Sequence, residues 1–291
     1  MNDRKRILAA IDLGSDTEKI LAYAVWLARK TGDNPEILML HVMDYALTPP
    51  AYIMPYMEKE KEASEEELRR WADRLKGLGT DAAFKIATGR LVETFNKTFE
   101  ELGISAMVIG YKSHIIRPSS SERLIKSLVM PMLVVRGQKS EGKALASVNI
   151  KNILCAVDFS DNSRKALELA RSLSEAVSSP LIVANVVSSL KMEESLKRLK
   201  DMSETDKHNY RKHIIREAEE KICSFLHVCS GAESVVRIGI PYKTINEIAV
   251  ERDADLIVMG ARGLSYTKGV ILGSVSESIV KSSPCPVMIV H

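Results

Sequence analysis

The residues best suited to chemistry lie late in the chain. Asp255-Leu256-Ile257-Val258-Met259-Gly260 runs into Ala261-Arg262-Gly263 and, after nine intervening residues, into Gly273-Ser274-Val275-Ser276. The order reads as a buried strand, a glycine-paired turn, a loop, and a helix that opens on backbone amides and hydroxyls. A helix N-terminus leaves N–H groups without intrahelical partners and carries partial positive charge, so an anion there satisfies both. Glycine serves where φ turns positive or where a side chain would block a phosphate. The chemistry indicated is phosphate binding, by neither a Walker nor a Rossmann loop.

A second candidate is Asp158, at the end of the apolar run Ile153-Leu154-Cys155-Ala156-Val157. A carboxylate there is costly unless it is hydrogen-bonded, caps a helix or neighbours a cation. The competing role is N-cap of a helix beginning near Asn162. Other candidates are weaker. His208 and His213 are five positions apart and do not share a helical face, and Cys223, His227 and Cys229 lack C-x-x-C spacing. Cys155 reads as core, and four dispersed cysteines do not make a disulfide scaffold.

The elements that must position these residues are written twice. Arg6-Ile7-Leu8-Ala9-Ala10-Ile11-Asp12 matches Asn152-Ile153-Leu154-Cys155-Ala156-Val157-Asp158. Four further apolar runs correspond in the same order, beginning at Ile37 and Leu181, Lys85 and Val235, Ala106 and Leu256, and Pro131 and Pro286. Short continuous Ile/Leu/Val runs alternating with helical patterns signal a parallel sheet covered on both faces. The expected architecture is therefore α/β in two tandem domains, 1–138 and 150–291, joined by a polar linker over 136–149. Helices are expected over 17–30, 60–78 and 91–102, and over 192–225 as one bent helix or two, broken near 201–205. Pro131, Pro284 and Pro286 suit the start of an edge strand. An exposed apolar edge invites aggregation, so the last strands of the two halves are expected to pair as an intramolecular pseudo-dimer.

Composition excludes several classes. At 291 residues each half is long enough for its own core, and 41 basic against 38 acidic residues leave no nucleic-acid footprint. Few aromatics argue against base-stacking platforms, and no apolar run is long enough to suggest a membrane span. The basic N-terminus flows into a strand rather than a signal core, so a cytoplasmic protein is expected.

At this point the chain resembles the universal stress protein family in tandem two-domain form, from Arg4 to Gly137 and again from Asn152 to His291. The most specific piece is the G-x2-G-x9-G-[ST] motif, intact as Gly260, Gly263, Gly273 and Ser274. The resemblance implies two doubly wound domains, each an open five-stranded parallel sheet of order 3-2-1-4-5, with the ligand at the carboxyl ends of the strands. It also implies ATP binding. Carried over position by position, Asp158 would lie by the ribose and metal-bound phosphates, Ala156 near the base, and the Val186 backbone against the adenine edge. Met259 and Gly260 would border ribose and phosphates, and Arg262, Gly263, Gly273, Ser274, Val275 and Ser276 would hold the phosphates. Mg²⁺ would ride on those phosphates near Asp158, with no metal site built from protein alone.

The first half departs from this pattern. Ser113 stands for Gly263, and aligning the final strands puts Pro118 at Gly273 with five loop residues fewer. Proline has no N–H for a phosphate, and a non-glycine residue in a left-handed turn costs about 1–2 kcal/mol. The first half is therefore expected not to bind ATP in the family manner. Lys112, Arg117 and Ser119 to Ser121 could hold a lone anion or simply be solvated. The expected function is a stress-response regulator with one nucleotide site and at most slow hydrolysis, since no base, arginine finger or second carboxylate can be placed. Its partners would be an adenine nucleotide, an unidentified regulatory protein and a second copy of the chain. The alternative is a nucleotide-independent interaction protein whose glycine motif is only a turn.

Overall fold

The computed structural model describes residues 5–31, 35–44, 50–112, 119–198, 203–226, 231–264 and 271–291, the side chains of 50–56 excepted. The chain divides into two compact units. The first comprises 1–136 and 140–149, the second 137–139 and 150–291.

In the first unit, strands β1 (Arg6–Ala10), β2 (Glu36–Met43), β3 (Ala82–Thr88), β4 (Ile104–Gly110) and β5 (Met132–Val135) lie in the order β3-β2-β1-β4-β5. Every pairing is parallel. Helices α1 (Thr17–Lys30), α2 (Pro50–Gly77), α3 (Leu91–Leu102) and α4 (Ser120–Ser127) alternate with the strands. The expected bounds of α1 and α3 hold, whereas α2 begins ten residues earlier than the spacing predicts. Its first residue is Pro50, and proline at that position forfeits only an N–H that the helix would leave unpaired. Of the twelve residues of α1 from Thr17 to Ala28, all but Glu18 and Lys19 are buried, including Tyr23 and Trp26.

The second unit repeats the plan. Strands β6 (Ile153–Ala156), β7 (Leu181–Ser188), β8 (Glu233–Gly239), β9 (Leu256–Gly260) and β10 (Val287–Val290) lie in the order β8-β7-β6-β9-β10, again parallel throughout. Between them run α5 (Asp161–Val177), α6 (Ser189–Arg198), α7 (Glu204–Phe225), α8 (Pro241–Glu251) and α9 (Ser274–Ser282). The charged 192–225 segment is thus two helices, and Ser203 starts the second with a capping box on Asp206. Helix α5 buries Ser163, Ala166, Leu167, Ala170, Leu173 and Ser174 at helical spacing, which seats one face on the sheet. Pro131 and Pro286 precede β5 and β10, and their carbonyls accept the amides of Met107 and Ile257.

The linker is held at Lys139, whose Nζ lies 2.6 Å from Asp253 Oδ1 and 2.9 Å from Asp255 Oδ1. Asp255 in turn accepts the amides of Lys151 and Asn152 through Oδ2. Cys155 and Cys285 are fully buried, and Cys223 is exposed. Burial pushes the Cys285 thiol up to about 12, so it is inert as a nucleophile. His227 and Cys229 lie outside the described residues. Among the described residues no helix is long and apolar enough to cross a membrane.

Candidate functional site

In the order β8-β7-β6-β9-β10, the connections leaving β6 and β9 diverge to opposite sides, which opens a crevice at their carboxyl ends. A cavity of about 600 Å³ lies there, within the 300–1,000 Å³ typical of small-molecule sites. All eleven residues drawn from the sequence line it: Ala156, Asp158, Val186, Met259, Gly260, Arg262, Gly263, Gly273, Ser274, Val275 and Ser276.

Asp158 is not the N-cap of α5. That position belongs to Ser160, whose side chain accepts the Ser163 amide at 3.3 Å. Asp158 instead ties two loops together. Its Oδ1 accepts the Ser160 amide at 3.2 Å and the Ser160 hydroxyl at 2.6 Å, and its Oδ2 accepts the Leu264 amide at 3.0 Å. Sequence reasoning saw the cost of a carboxylate at a strand end, but not that the backbone after β9 would offset it.

The three motif glycines have different causes, and none sits at positive φ. This corrects the expectation of a left-handed turn at Gly263. A Cβ on Gly263 would overlap Asp158 Oδ2, so glycine is needed for the carboxylate to reach Leu264. A Cβ on Gly260 would fall 2.9 Å from Asn162 backbone and side-chain atoms, so glycine lets the first turn of α5 approach β9. Gly273 is unlike both. A Cβ there would make ordinary contact, 3.4 Å from the Ala261 carbonyl. The protein's own packing gives no reason for glycine at 273, and that position faces the cavity.

Gly273 is the N-cap of α9, and no side chain caps this helix. The Gly273 amide donates to the Ala261 carbonyl at 2.8 Å, and the Ser276 hydroxyl donates to the Gly260 carbonyl at 2.9 Å. These bonds correct two details of the sequence reading, because both groups are spent on holding α9 against the end of β9. What remains for an anion is the Ser274 hydroxyl and the amides of Ser274, Val275 and Ser276, the first three of the helix. Arg262 lines the same wall. Beside it, burial first and then the charges of Arg262 and Lys165 push the His291 imidazole down to about 4, which keeps it neutral.

Several lining residues escaped sequence reasoning. Asn185, 6% exposed, donates through Nδ2 to the Val157 carbonyl at 2.8 Å and pins the end of β7 to that of β6. Phe159, Lys191 and Tyr242 also line the cavity. Their signal was topological: each follows the carboxyl end of β6, β7 or β8. Among the described residues no cluster of three or more His, Cys, Asp or Glu could hold a metal, and His208 and His213 are exposed on α7.

The corresponding crevice of the first unit is smaller and is bridged by its own side chains. Its cavity is about 210 Å³. Lys112 Nζ lies 2.8 Å from Asp12 Oδ2 and 3.8 Å from Asp16 Oδ2. Burial opposes ionisation of Asp12, yet hydrogen bonds from Lys112 and the Gly14 amide outweigh it and hold the carboxyl below its usual range. The same bond raises Lys112. Helix α4 is capped by Ser119, whose side chain accepts the Glu122 amide, while Glu122 Oε2 accepts the Ser119 amide at 3.1 Å. Tyr111 donates its hydroxyl to Glu122 Oε1 at 2.9 Å. Ser121 Oγ accepts the Lys112 amide at 3.2 Å. Lys112, Ser119 and Ser121 are therefore linked to one another, whereas Ser120 is exposed. Ser113, Arg117 and Pro118 lie outside the described residues.

A sequence profile described as the universal stress protein family matches residues 3–136 and again 149–291. A Staphylococcus aureus (strain USA300) protein assigned by name to these proteins is 34% identical over 150 residues, which is 50% of this chain and 86% of that protein. The crystal structure of a universal stress protein from Archaeoglobus fulgidus DSM 4304 superposes with a TM-score of 0.70 at 25% identity, covering 98% of this chain and 96% of that one. A Pseudomonas aeruginosa UCBPP-PA14 structure shares the fold, with a TM-score of 0.61 at 14% identity over 99% and 92% of the two chains. With both halves matched and the duplicated sheets in place, the chain belongs to the universal stress protein family of stress-response proteins.

Proposed function

We propose that the second unit binds one adenine nucleotide, ATP with Mg²⁺ as the reference ligand, and that the first unit binds none. The carrying observation is the contrast between two equivalent helix starts. Helix α4 is closed by its own Ser119–Glu122 capping box beside a small cavity, whereas α9 has no side-chain cap and opens on a large one. An uncapped N-terminus flanked by Arg262 is suited to a phosphate by amide donors, dipole and charge together. The phosphates would meet Ser274 to Ser276 and Arg262, and the absence of a Cβ at Gly273 leaves room for their close approach. Asp158 would face the metal carried by the phosphates. Ala156, Val186 and Met259 supply the remaining wall for ribose and base.

Among the described lining residues Asp158 is the one carboxylate, and there is no histidine. The site is therefore fitted to hold a nucleotide rather than to activate water, so occupancy is the signal and a regulatory partner reads it. Titration calorimetry of the full chain with ATP and Mg²⁺ should return one nucleotide per chain. Gly273→Ala should weaken binding at least tenfold while leaving stability within about 1 kcal/mol. Two nucleotides per chain, or unchanged binding by Gly273→Ala, would sink this reading.

A further inference from the structure

We propose that Phe225, in the last turn of α7, is a positioning residue for the second-unit site: its ring holds Phe159 in a left-handed backbone conformation that aims the Asp158 carboxylate at the loop after β9. The functional consequence rests on the nucleotide reading above; the conformational one does not.

Phe159 directly follows Asp158, lines the cavity and has φ 66°. Left-handed backbone disfavours a non-glycine residue by a factor of roughly 5 to 30. The conformation belongs to the aspartate turn itself, because Leu13 adopts it after Asp12 with φ 56°. In both units it swings the next amide back to the carboxylate, Ser160 to Asp158 Oδ1 at 3.2 Å and Gly14 to Asp12 Oδ1 at 3.0 Å. The two units then hold the turn differently. In the first, Lys112 grips the carboxylate at 2.8 Å. In the second, among the described residues Asp158 has no ion pair, and packing takes that role. The Phe159 and Phe225 rings meet edge to face, with centroids 5.6 Å apart and planes at 82°. Phe225 is 7% exposed and carries the Arg164 guanidinium 4.8 Å from its centroid. Aromatic pairs in this geometry contribute beyond the area they bury. Arg164 lies in the first turn of α5, so Phe225 braces both sides of the turn that Asp158 begins.

The test is a double-mutant cycle between Phe225→Ala and Phe159→Gly with two readouts. One is ATP affinity by calorimetry on the full chain with Mg²⁺. The other needs no ligand: exchange of the Leu264 amide, which donates to Asp158 Oδ2. In the native background Phe225→Ala should weaken ATP binding and speed Leu264 exchange by roughly 5- to 30-fold. In the Phe159→Gly background it should change either by less than about twofold, because glycine takes the left-handed conformation without help. An equal effect in both backgrounds would make Phe225 a purely structural residue and overturn the proposal, as would no effect in the native one. If Phe225→Ala does not fold, Phe225→Leu carries the same comparison. Failure of the wild-type chain to bind ATP would count against the nucleotide reading alone, since Leu264 exchange still decides the role of Phe225.

Discussion

At the residue scale, the same residue type does different work at neighbouring positions. Gly260 and Gly263 are demanded by the approach of Asn162 and of Asp158, and only Gly273 is left without an internal cause. The sequence showed three glycines at family spacing but could not sort them, because the sorting depends on which atoms come near. His291 is a second case. Its two ring nitrogens are buried without a hydrogen-bond partner, and its proton affinity is depressed to about 4. Between that value and the ordinary 6.5, the unfolded chain binds a proton that the folded chain does not. The neutral ring's contribution is therefore present above pH 6.5 and lost as pH falls toward 4. Melting curves of wild type and His291→Gln between pH 6.5 and 4.5 should show a smaller loss of midpoint for the variant. Parallel curves would show that His291 does not carry this pH dependence.

At the element scale, secondary structure was largely legible. Helices α1 and α3 fell between the breaks where the sequence placed them, and in α3 the buried Leu91, Phe95 and Thr98 recur at helical intervals. The start of α2 was not legible, since Pro50 and Pro55 stand in its first turns and proline there reads as a break rather than as a helix. What decided the character of each unit was how one short helix begins. Ser119 and Glu122 satisfy α4 from within, and α9 offers nothing equivalent. Ser119→Ala should cost about 1 kcal/mol of first-unit stability and leave ATP affinity unchanged. Gly273→Asp should place a carboxylate at the α9 N-terminus, shift stability by only a few tenths of a kcal/mol and abolish nucleotide binding. Denaturant melts paired with calorimetry check both. Retained ATP binding by Gly273→Asp would mean that the helix start is not the phosphate site.

At the scale of the whole molecule, duplication gave two units with one strand order and different site chemistry. All residues lining the larger cavity belong to the second unit. At one hundred times the dissociation constant, ATP should raise the opening free energy of the unit that binds it by about 2.7 kcal/mol. Hydrogen exchange should therefore slow in core amides within 150–291 and stay unchanged within 6–135. Equal slowing in both would contradict a single site in the second unit. By itself the sequence determined the duplication and the alternation of strands and helices, because apolar period is local and repeated, while the sheet order and the set of residues gathered at the second crevice came through the resemblance that its glycine spacing carries. Only the tertiary structure decided that Asp158 clasps the Leu264 amide, that Gly263 yields space to that carboxylate, that Lys112 pairs with Asp12 at the first crevice, and that Glu122 closes the capping box of α4. Those outcomes depend on distances between residues about a hundred positions apart in the chain, or on which of several polar partners a helix start selects, and neither is written in local spacing.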